Sequence, residues 1–461
     1  MIREKSFYRA FFALAMSLTL QNLLTFGVNL MDTVMLGRYS QDAMSGVSLC
    51  NQVQFLLQML VTGAGEGVVV LGAQYWGKGD LKPIPHIIGV ALRFGGGLAA
   101  ALFALVLAAP ERVLRLLSNE EAVIAQGVQY FRIICFTYII FTVTNILAAS
   151  LRSVGIVKIG YVTAFSTLCI NVSLNYLLIY GRWGFPELGV RGAAIATLIS
   201  RCVELLIVVW FLKRREKRLC LTMKKLLFTD KSYLRDYNRV SAPVLVNQTL
   251  WGVAQMVQTG ILGHLGGDVT AANAIAVQVY QVLSVAAYGA ASASGIVVGR
   301  TVGGGRREEL RPLVSTLQAV FILIGLVSGG AILLLRRPIL AVFGAALTAG
   351  ARELALRFMG IIALTTVGTA YQMACDNGII RGGGDTAFSA RMNLISMWGI
   401  VVPLSAAAAF WWAWPPAAVF FLLKWDQLYK IIPVALRLHS WKWVRTVTRP
   451  GGAAGSEEEI L

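Results

Sequence analysis

The stretch Gln21-Asn-Leu-Leu-Thr-Phe-Gly-Val-Asn-Leu-Met-Asp-Thr-Val-Met-Leu-Gly-Arg38 closes the first long apolar segment of the chain. Its polar residues recur at intervals of four, four and three, at Gln21, Thr25, Asn29 and Asp32. This spacing places them on one face of a helix. An Asp at the centre of a membrane helix costs about 2.5–3.5 kcal/mol on insertion scales, and it normally faces a protein interior or a wet cavity. The stretch therefore predicts a membrane helix with a functional carboxylate at Asp32.

The composition predicts a polytopic membrane protein. Of 461 residues, 57% are hydrophobic and 14% are charged, whereas soluble domains carry about 25% charged residues. The pattern predicts twelve spans, at residues 10–36, 43–73, 87–109, 122–149, 160–180, 190–212, 239–263, 270–299, 313–335, 348–378, 387–410 and 412–434. Lys and Arg are concentrated on the side that holds both termini, which predicts that both termini are cytoplasmic. The net charge of +18 is thus an orientation signal, and we expect no nucleic-acid partner.

The chain contains two copies of one plan. Thr33-Val-Met-Leu-Gly37 aligns with Thr259-Gly-Ile-Leu-Gly263, and in the same register Asp32 aligns with Gln258. Six spans per copy give both copies the same membrane orientation, a parallel repeat. We predict an all-α fold with twelve transmembrane helices in two six-helix lobes. The predicted parts are an N-lobe (1–212), a basic cytoplasmic linker (213–238), a C-lobe (239–437) and a cytoplasmic tail (438–461), which we expect to be disordered after Trp441.

Polar residues continue on further predicted helices. Gln54, Gln58 and Glu66 share one face of the second span because they are spaced by multiples of four. The residues predicted to line a substrate cavity are Gln21, Asn29, Gln54, Gln58, Glu66, Gln248, Trp251, Gln255, Gln258 and Tyr288. Glu66 has an alternative interpretation, because it lies near the cytoplasmic end of its span and could reach the membrane surface.

The fifth span carries Asn171 and Asn175 on one face, and the sixth carries Thr197. Amide and hydroxyl oxygens beside a carboxylate suit Na⁺ or a shared proton. An Asn pair can instead form a helix–helix hydrogen bond, and Asp32 can lie at the outer interface. Other charges in the spans are expected to compensate locally, as Arg201 with Glu204 and Lys424 with Asp426. Asp376 is expected to pair with Arg381 or to cap a helix end.

Several short motifs, in this order and spacing, resemble the multidrug and toxic compound extrusion (MATE) transporters. They include Met31-Asp-Thr-Val-Met-Leu-Gly37, Ala73-Gln-Tyr-Trp-Gly77, Leu151-Arg-Ser-Val-Gly155 and Arg381-Gly-Gly-Gly-Asp-Thr386. The similarity covers residues 7 to 437. It implies a twelve-helix antiporter that exports cationic or amphipathic organic compounds in exchange for H⁺ or Na⁺.

The resemblance also assigns roles to residues. It implies that Asp32 is the ion-coupling acid of the N-lobe and acts with Asn171, Asn175 and Thr197, with Na⁺ at Asp32 as one option. Some relatives have Asp where this chain has Asn175, which leaves open whether the coupling ion is H⁺ or Na⁺. Many have Glu where this chain has Gln248, so a C-lobe cation site that depends on that Glu does not carry over. Coupling is therefore expected in the N-lobe.

These observations predict a secondary active antiporter rather than an enzyme. We expect no cofactor beyond the coupling ion, a monomer in the inner (plasma) membrane, and a small organic cation or amphipathic drug as substrate. The alternative within the same broad superfamily is a lipid-linked oligosaccharide flippase, which needs a basic cavity for pyrophosphate. A membrane-embedded enzyme would need a His/Asp or Ser/Lys constellation, and no such pattern occurs in the spans; an ion channel is less consistent with duplicated lobes.

Overall fold

The computed structural model describes residues 2, 4–216, 219, 221–222, 225–226, 231–343 and 347–449. Within these ranges all regular secondary structure is helical. The α-helices are α1 (Lys5–Tyr39), α2 (Gln41–Lys78), α3 (Ile84–Ala108), α4 (Pro110–Arg115), α5 (Glu121–Ile134), α6 (Phe136–Ser153), α7 (Lys158–Tyr180), α8 (Val190–Arg214), α9 (Lys231–Gly263), α10 (Gly267–Gly303), α11 (Arg307–Phe343), α12 (Ala349–Ala374), α13 (Thr386–Leu394), α14 (Val402–Phe410), α15 (Pro416–Lys424), α16 (Asp426–Tyr429) and α17 (Ile431–His439). Two π-helical segments, π1 (Cys375–Ile380) and π2 (Ile395–Val401), continue α12 and α13.

Among the described residues, nine helical segments are long and apolar enough to cross a membrane. Helices α5 and α6 form a tenth span, bent by 51° where they meet. The predicted span 239–263 lies in α9, and the predicted span 412–434 lies in the run from α15 to α17. Each of the twelve predicted spans therefore coincides with a helix or a run of short helices.

The chain divides into two compact units. The N-unit comprises Leu20–Tyr75 and Asp80–Leu245, and the C-unit comprises Met1–Thr19, Trp76–Gly79 and Val246–Leu461. Helices α1, α2 and α9 each contribute residues to both units. The predicted lobe boundaries stay a prediction, and the basic linker lies partly outside the described residues.

The N-unit is held together by small residues that allow helices to approach closely. A Cβ atom on Gly67 would lie 1.7 Å from the Ser241 hydroxyl, and one on Gly63 would lie 3.0 Å from the Leu245 backbone. Tyr237 also donates a hydrogen bond to the Ala64 carbonyl at 2.9 Å. Because lipid is as apolar as Leu, such close packing and interhelical hydrogen bonds drive association in a membrane. These contacts fix the first half of α9 against α2.

The C-unit has its own core, centred on α10 and α12. The rings of Phe358 and Phe420 stack there with centroids 4.0 Å apart, and both side chains are fully buried. Next to this core, α12 and α13 pass into the segments π1 and π2. A π-helical turn widens the helix and is often found at functional sites.

Part of the C-terminal tail packs on the C-unit, which differs from the expected disorder after Trp441. Trp443 is fully buried, and its indole nitrogen donates to the Leu438 carbonyl at 3.1 Å. Arg445 lies 3.2 Å from the buried carboxylate of Asp385. A polar composition suggested disorder, but one buried indole and one ion pair hold the segment as far as residue 449. The predicted tail beyond that point, residues 450–461, lies outside the described residues.

Candidate ion-coupling site

Three helices of the N-unit bring the four predicted ion-coupling residues into one hydrogen-bonded chain. Asn175 Nδ2, on α7, donates to Asp32 Oδ1 on α1 at 2.5 Å and to Asn171 Oδ1 at 3.1 Å. Asn171 Nδ2 donates to Thr197 Oγ1 on α8 at 3.2 Å. The Thr197 hydroxyl in turn donates to the Ala193 carbonyl at 3.0 Å. The arrangement connects the carboxylate to α8 through two amides.

The local packing explains why these side chains meet. Asn171 and Asn175 are one helical turn apart, so both point from the same face of α7. The Tyr180 hydroxyl donates to the Met35 carbonyl at 2.7 Å, which ties the end of α7 to α1. Gly192 lets α8 approach α7, because a Cβ there would lie 2.5 Å from the Leu178 carbonyl oxygen.

Within the chain from Asp32 to Thr197, one buried amide oxygen accepts no hydrogen bond from the described residues. Asn171 and Asn175 are fully buried, yet Asn175 Oδ1 has no hydrogen-bond partner among the described residues. A buried polar atom without a partner costs about 1–3 kcal/mol. This oxygen lies on the amide that contacts Asp32. The site therefore offers carboxylate, amide and hydroxyl oxygens, with one amide oxygen free to accept a hydrogen bond or to coordinate a cation.

No conventional metal centre accompanies these oxygens. Across the described part of the chain, no three His, Cys, Asp or Glu side chains gather as a metal site. A monovalent ion such as Na⁺ is a hard cation, for which amide and hydroxyl oxygens are suitable ligands. Any cation at Asp32 would therefore depend on Asn175 and its neighbours.

Tyr130 belongs to the same site, and the sequence analysis missed it. Its side chain is 4% exposed, and its phenol lies close enough to interact with Thr197 and with the charge of Asp32. Tyr130 lies in α5, an amphipathic helix whose buried apolar face is typical of an ordinary protein core. No sequence pattern distinguishes it from the other buried aromatic residues nearby.

Arg201 lies one turn after Thr197 on α8, and its role is partly as predicted. The expected pair with Glu204 is confirmed, with Arg201 Nη1 2.7 Å from Glu204 Oε2. The guanidinium also lies over the Phe141 ring, 5.2 Å from its centroid, and its positive charge interacts with Asp32. Asp32, Arg201 and Glu204 together carry a net charge of −1 when all three are ionised.

Comparison with known proteins identifies the family. A sequence model of the MatE family matches residues 18–177 and 243–407. The chain belongs to the MATE family. The probable multidrug resistance protein NorM of Thermotoga maritima is 27% identical over 395 residues, which cover 84% of this chain and 82% of that protein. This family consists of transporters and not of enzymes.

Solved MATE structures share the fold. A MATE transporter in the bent conformation has a TM-score of 0.85 and 18% identity, covering 96% of this chain and 97% of the other. An outward-facing multidrug resistance MATE transporter of the MOP superfamily has a TM-score of 0.84 and 19% identity, covering 94% and 96%. The predicted fold class is confirmed: an all-α polytopic membrane protein with twelve transmembrane helices in two parallel-repeat six-helix lobes.

The other N-lobe residues predicted to line a cavity are less closely connected to this MATE site. Gln21 packs against Gly160, where an added Cβ would lie 2.2 Å from Gln21 Oε1. Glu66 forms an ion pair with Arg152 at 3.6 Å. Asn29 is exposed, and partly buried side chains are found at Gln54 and Gln58. Their role in substrate binding stays a prediction.

The C-lobe candidates surround a different set of groups. Gln258, which aligns with Asp32, is 4% exposed; its amide nitrogen contacts Met397 Sδ at 3.1 Å, and its oxygen accepts from Lys424 Nζ at 3.5 Å. Tyr288 forms a hydrogen bond with Tyr280. The remaining C-lobe candidates are partly buried, at Gln248, Trp251 and Gln255. The position equivalent to Asp32 is therefore neutral and faces an ammonium group.

Two acids of the C-lobe have direct partners other than the predicted ones. Asp426 pairs with Lys430 at 2.8 Å rather than with Lys424. Residues four apart share a helical face, whereas residues two apart do not. Asp376 accepts hydrogen bonds from Ser389 Oγ at 2.5 Å and from an Asn393 amide. The charge of Arg381 acts on it, but among the described residues the two side chains form no direct ion pair.

Proposed function

We propose that this protein is a secondary active antiporter that couples H⁺ or Na⁺ entry to substrate export through Asp32. The observation that carries the proposal is the hydrogen-bonded chain from Asp32 through Asn175 and Asn171 to Thr197. Ion-coupled export needs an exchangeable cation site, and this chain presents a carboxylate beside an amide oxygen without a partner. Coupling is assigned to the N-lobe.

The mechanism we propose is alternating access. In the outward-open state the cation reaches Asp32 and neutralises it. The Asn175 amide, which donates to Asp32 when the carboxylate is empty, must then reorient or share the carboxylate with the cation. That change is transmitted to α1 and α7, which meet at this contact. A Cβ on Gly27 would meet only Leu168, at 3.9 Å, and we assign to Gly27 a bend in α1 that accompanies the change.

For the substrate we propose small organic cations or amphipathic drugs. The NorM relative is described as a probable multidrug resistance protein, which supports this class. Asp32, Arg201 and Glu204 together carry a charge of −1, and a cationic compound and a coupling cation would therefore compete for the same negative site. Mutually exclusive binding is the simplest way to couple one to the other.

We also propose a monomer in the inner (plasma) membrane with both termini cytoplasmic. The concentration of Lys and Arg on one side of the twelve spans supports the orientation. Single-cysteine variants at Ser40 and Ser440, labelled from outside with a membrane-impermeant thiol reagent, test it. Labelling at residue 40 and protection at residue 440 is the expected result. The reverse pattern would contradict the orientation.

The experiment that tests the coupling is substrate efflux from proteoliposomes. A fluorescent organic cation is loaded, and either a proton or a sodium gradient is imposed on wild type, on Asp32→Asn and on Asp42→Asn. Asp42 is an exposed acid at the start of α2 and serves as the matched control. We expect gradient-driven efflux in wild type and Asp42→Asn, and loss of gradient dependence in Asp32→Asn.

The possible outcomes separate the proposals. The gradient that drives efflux identifies the coupling ion. Coupled efflux that survives Asp32→Asn would refute N-lobe coupling through this residue. If neither gradient moves the cation while the protein is folded, the flippase alternative is tested next, with a fluorescent lipid-linked pyrophosphate sugar in the same vesicles.

A further inference from the structure

The C-unit buries a second polar network that resembles the N-unit site in composition. Asp426 lies 2.8 Å from Lys430 Nζ, and the same ammonium donates to Asn393 Oδ1 at 3.0 Å. Asn393 Nδ2 then donates to Asp376 Oδ2 at 3.2 Å, and Ser389 completes the chain. Carboxylate, amide and hydroxyl groups thus follow one another, as they do from Asp32 to Thr197.

The difference is that this network contains its own cation. Lys430 is 4% exposed and Asp426 is fully buried. The ammonium is held between a carboxylate oxygen and an amide oxygen, which are the ligand types expected around a bound monovalent cation. Such an ammonium is fixed by its covalent stem and is not exchangeable.

The charge balance also indicates that the C-unit network already contains its compensating cation. The C-unit network has two acids, Asp376 and Asp426, and two buried bases, Arg381 and Lys430. When all four are ionised its net charge is zero, whereas the Asp32, Arg201 and Glu204 group has a net charge of −1. Buried charge is stable only when it is compensated. The partly buried N-unit group thus has an unbalanced negative charge that one external cation can compensate. The two acids of the C-unit network are already balanced by Arg381 and Lys430, and Lys424 adds further positive charge beside them.

We propose that the Lys430 ammonium is a built-in replacement for a coupling cation, and that it closes a latent monovalent-cation site formed by Asp426, Asn393 and Asp376. Removal of the Lys430 charge opens that site to Na⁺ or H⁺. For its consequence in transport the inference rests on the proposed N-lobe coupling: the C-lobe then contributes no ion to the exchange.

Other charged and titratable groups near this site are consistent with the assignment. Lys424 donates to Gln258 and its charge interacts with Asp426. Tyr429 shares a hydrogen bond with Ser396 on π2. The second lysine adds positive charge beside the network, which further disfavours an external cation while Lys430 is present.

The test measures cation binding in protein that already carries Asp32→Asn, so that the N-unit site does not contribute. In this background Lys430→Met is compared with Lys430→Arg and with Lys424→Met, a lysine in the same helical run. Purified protein in nanodiscs is heated in NaCl or in choline chloride of equal ionic strength, at pH 6 and pH 8.5, and ²²Na⁺ binding is counted.

We expect the melting temperature of Lys430→Met to rise by several degrees with Na⁺ or with low pH. The melting temperatures of the parent, of Lys430→Arg and of Lys424→Met should not change with Na⁺ or with pH. The inference is overturned if Lys430→Met responds to neither cation, or if the parent already binds ²²Na⁺ in the C-unit. Because the Asp32→Asn efflux assay is read separately, failure of one proposal does not imply failure of the other.

A variant that fails to fold still leaves the inference testable. Lys430→Met with Asp426→Asn removes one charge of each sign and keeps the network neutral. We expect this double variant to fold and to show no cation dependence. If the double variant is no more stable than Lys430→Met alone, Lys430 does not act as the counter-cation of Asp426, and the inference fails.

Discussion

Breaking the Arg201–Glu204 pair should affect the two single variants unequally. Arg201 Nη1 and Glu204 Oε2 are 2.7 Å apart, and the side chains are 15% and 18% exposed. At an effective dielectric constant of 20, unit charges at this separation attract by about 6 kcal/mol. Desolvation of both groups offsets much of that attraction, but removing one partner leaves the other charge buried, at a cost of about 3–5 kcal/mol.

The structure predicts which variant is worse. After Glu204→Gln, Arg201 still has the Phe141 ring and the charge of Asp32. After Arg201→Met, Glu204 retains no basic partner among the described residues. We therefore expect Arg201→Met to lower the free energy of unfolding by most of the 3–5 kcal/mol, and Glu204→Gln to lower it clearly less. The double variant removes both charges and should recover most of the wild-type stability.

Glu204→Gln should also change ion coupling. Arg201, released from Glu204, becomes the counter-ion of Asp32, so the coupling ion has to compete with it. We expect the ion concentration for half-maximal efflux to rise about tenfold, which corresponds to ~1.4 kcal/mol. Thermal unfolding in detergent and ion-titrated efflux in proteoliposomes measure the two effects. The reasoning is refuted if Arg201→Met is as stable as Glu204→Gln, or if the double variant is no better than the worse single variant.

Two further predictions follow from close contacts and buried groups. A Cβ on Gly77 would lie 2.0 Å from the Arg300 carbonyl oxygen, so Gly77→Ala should lower stability by about 1–3 kcal/mol. A Cβ on Gly96 would have no neighbouring atom within 4 Å, so the control Gly96→Ala should gain up to ~1 kcal/mol from helix propensity. Equal melting temperatures for the two variants would contradict this. Tyr130→Phe removes the phenol that interacts with Thr197. Loss of one such polar contact costs about 0.5–1.5 kcal/mol and should weaken binding of the coupling ion about 2- to 10-fold in the efflux titration; an unchanged ion dependence would contradict this.

The helices were predictable because a membrane simplifies the sequence signal. Each spanning segment must satisfy its backbone hydrogen bonds internally and must be apolar outside, so long apolar runs identify the helices. The α5–α6 bend at Cys135 was not predictable in this way, since no Pro or Gly is found there. Local periodicity also identified the polar face of α1 that carries Asp32.

Side-chain partners were predictable only from the family resemblance or, within one helix, from i,i+3 spacing as for Arg201 and Glu204. The contact of Asp32 with Asn175 joins residues 143 positions apart, and nothing in the local pattern of either helix selects the other. The same limit applies to Tyr130, and to Asp376, which satisfies its carboxylate with Ser389 and Asn393. A hydroxyl or an amide on a helix face indicates that a partner exists but not which one.

The C-unit network poses a separate question, because a neutral buried network contributes little to stability that an apolar cluster could not supply. The contacts of the network indicate which parts of the C-unit it holds in place. Asp376 lies on π1, and Ser396 on π2 shares a hydrogen bond with Tyr429. The network therefore connects both π-helical segments to the run from α15 to α17. A π-helical turn has near-alternatives in α-helical register, and a charged network with one satisfied geometry selects between them. On this argument the two lobes use similar polar groups differently: the Asp32 chain has a missing charge that an ion can supply, whereas Lys430 holds the C-unit network in a single state. A transport cycle then needs only one of the two lobes to respond to the ion.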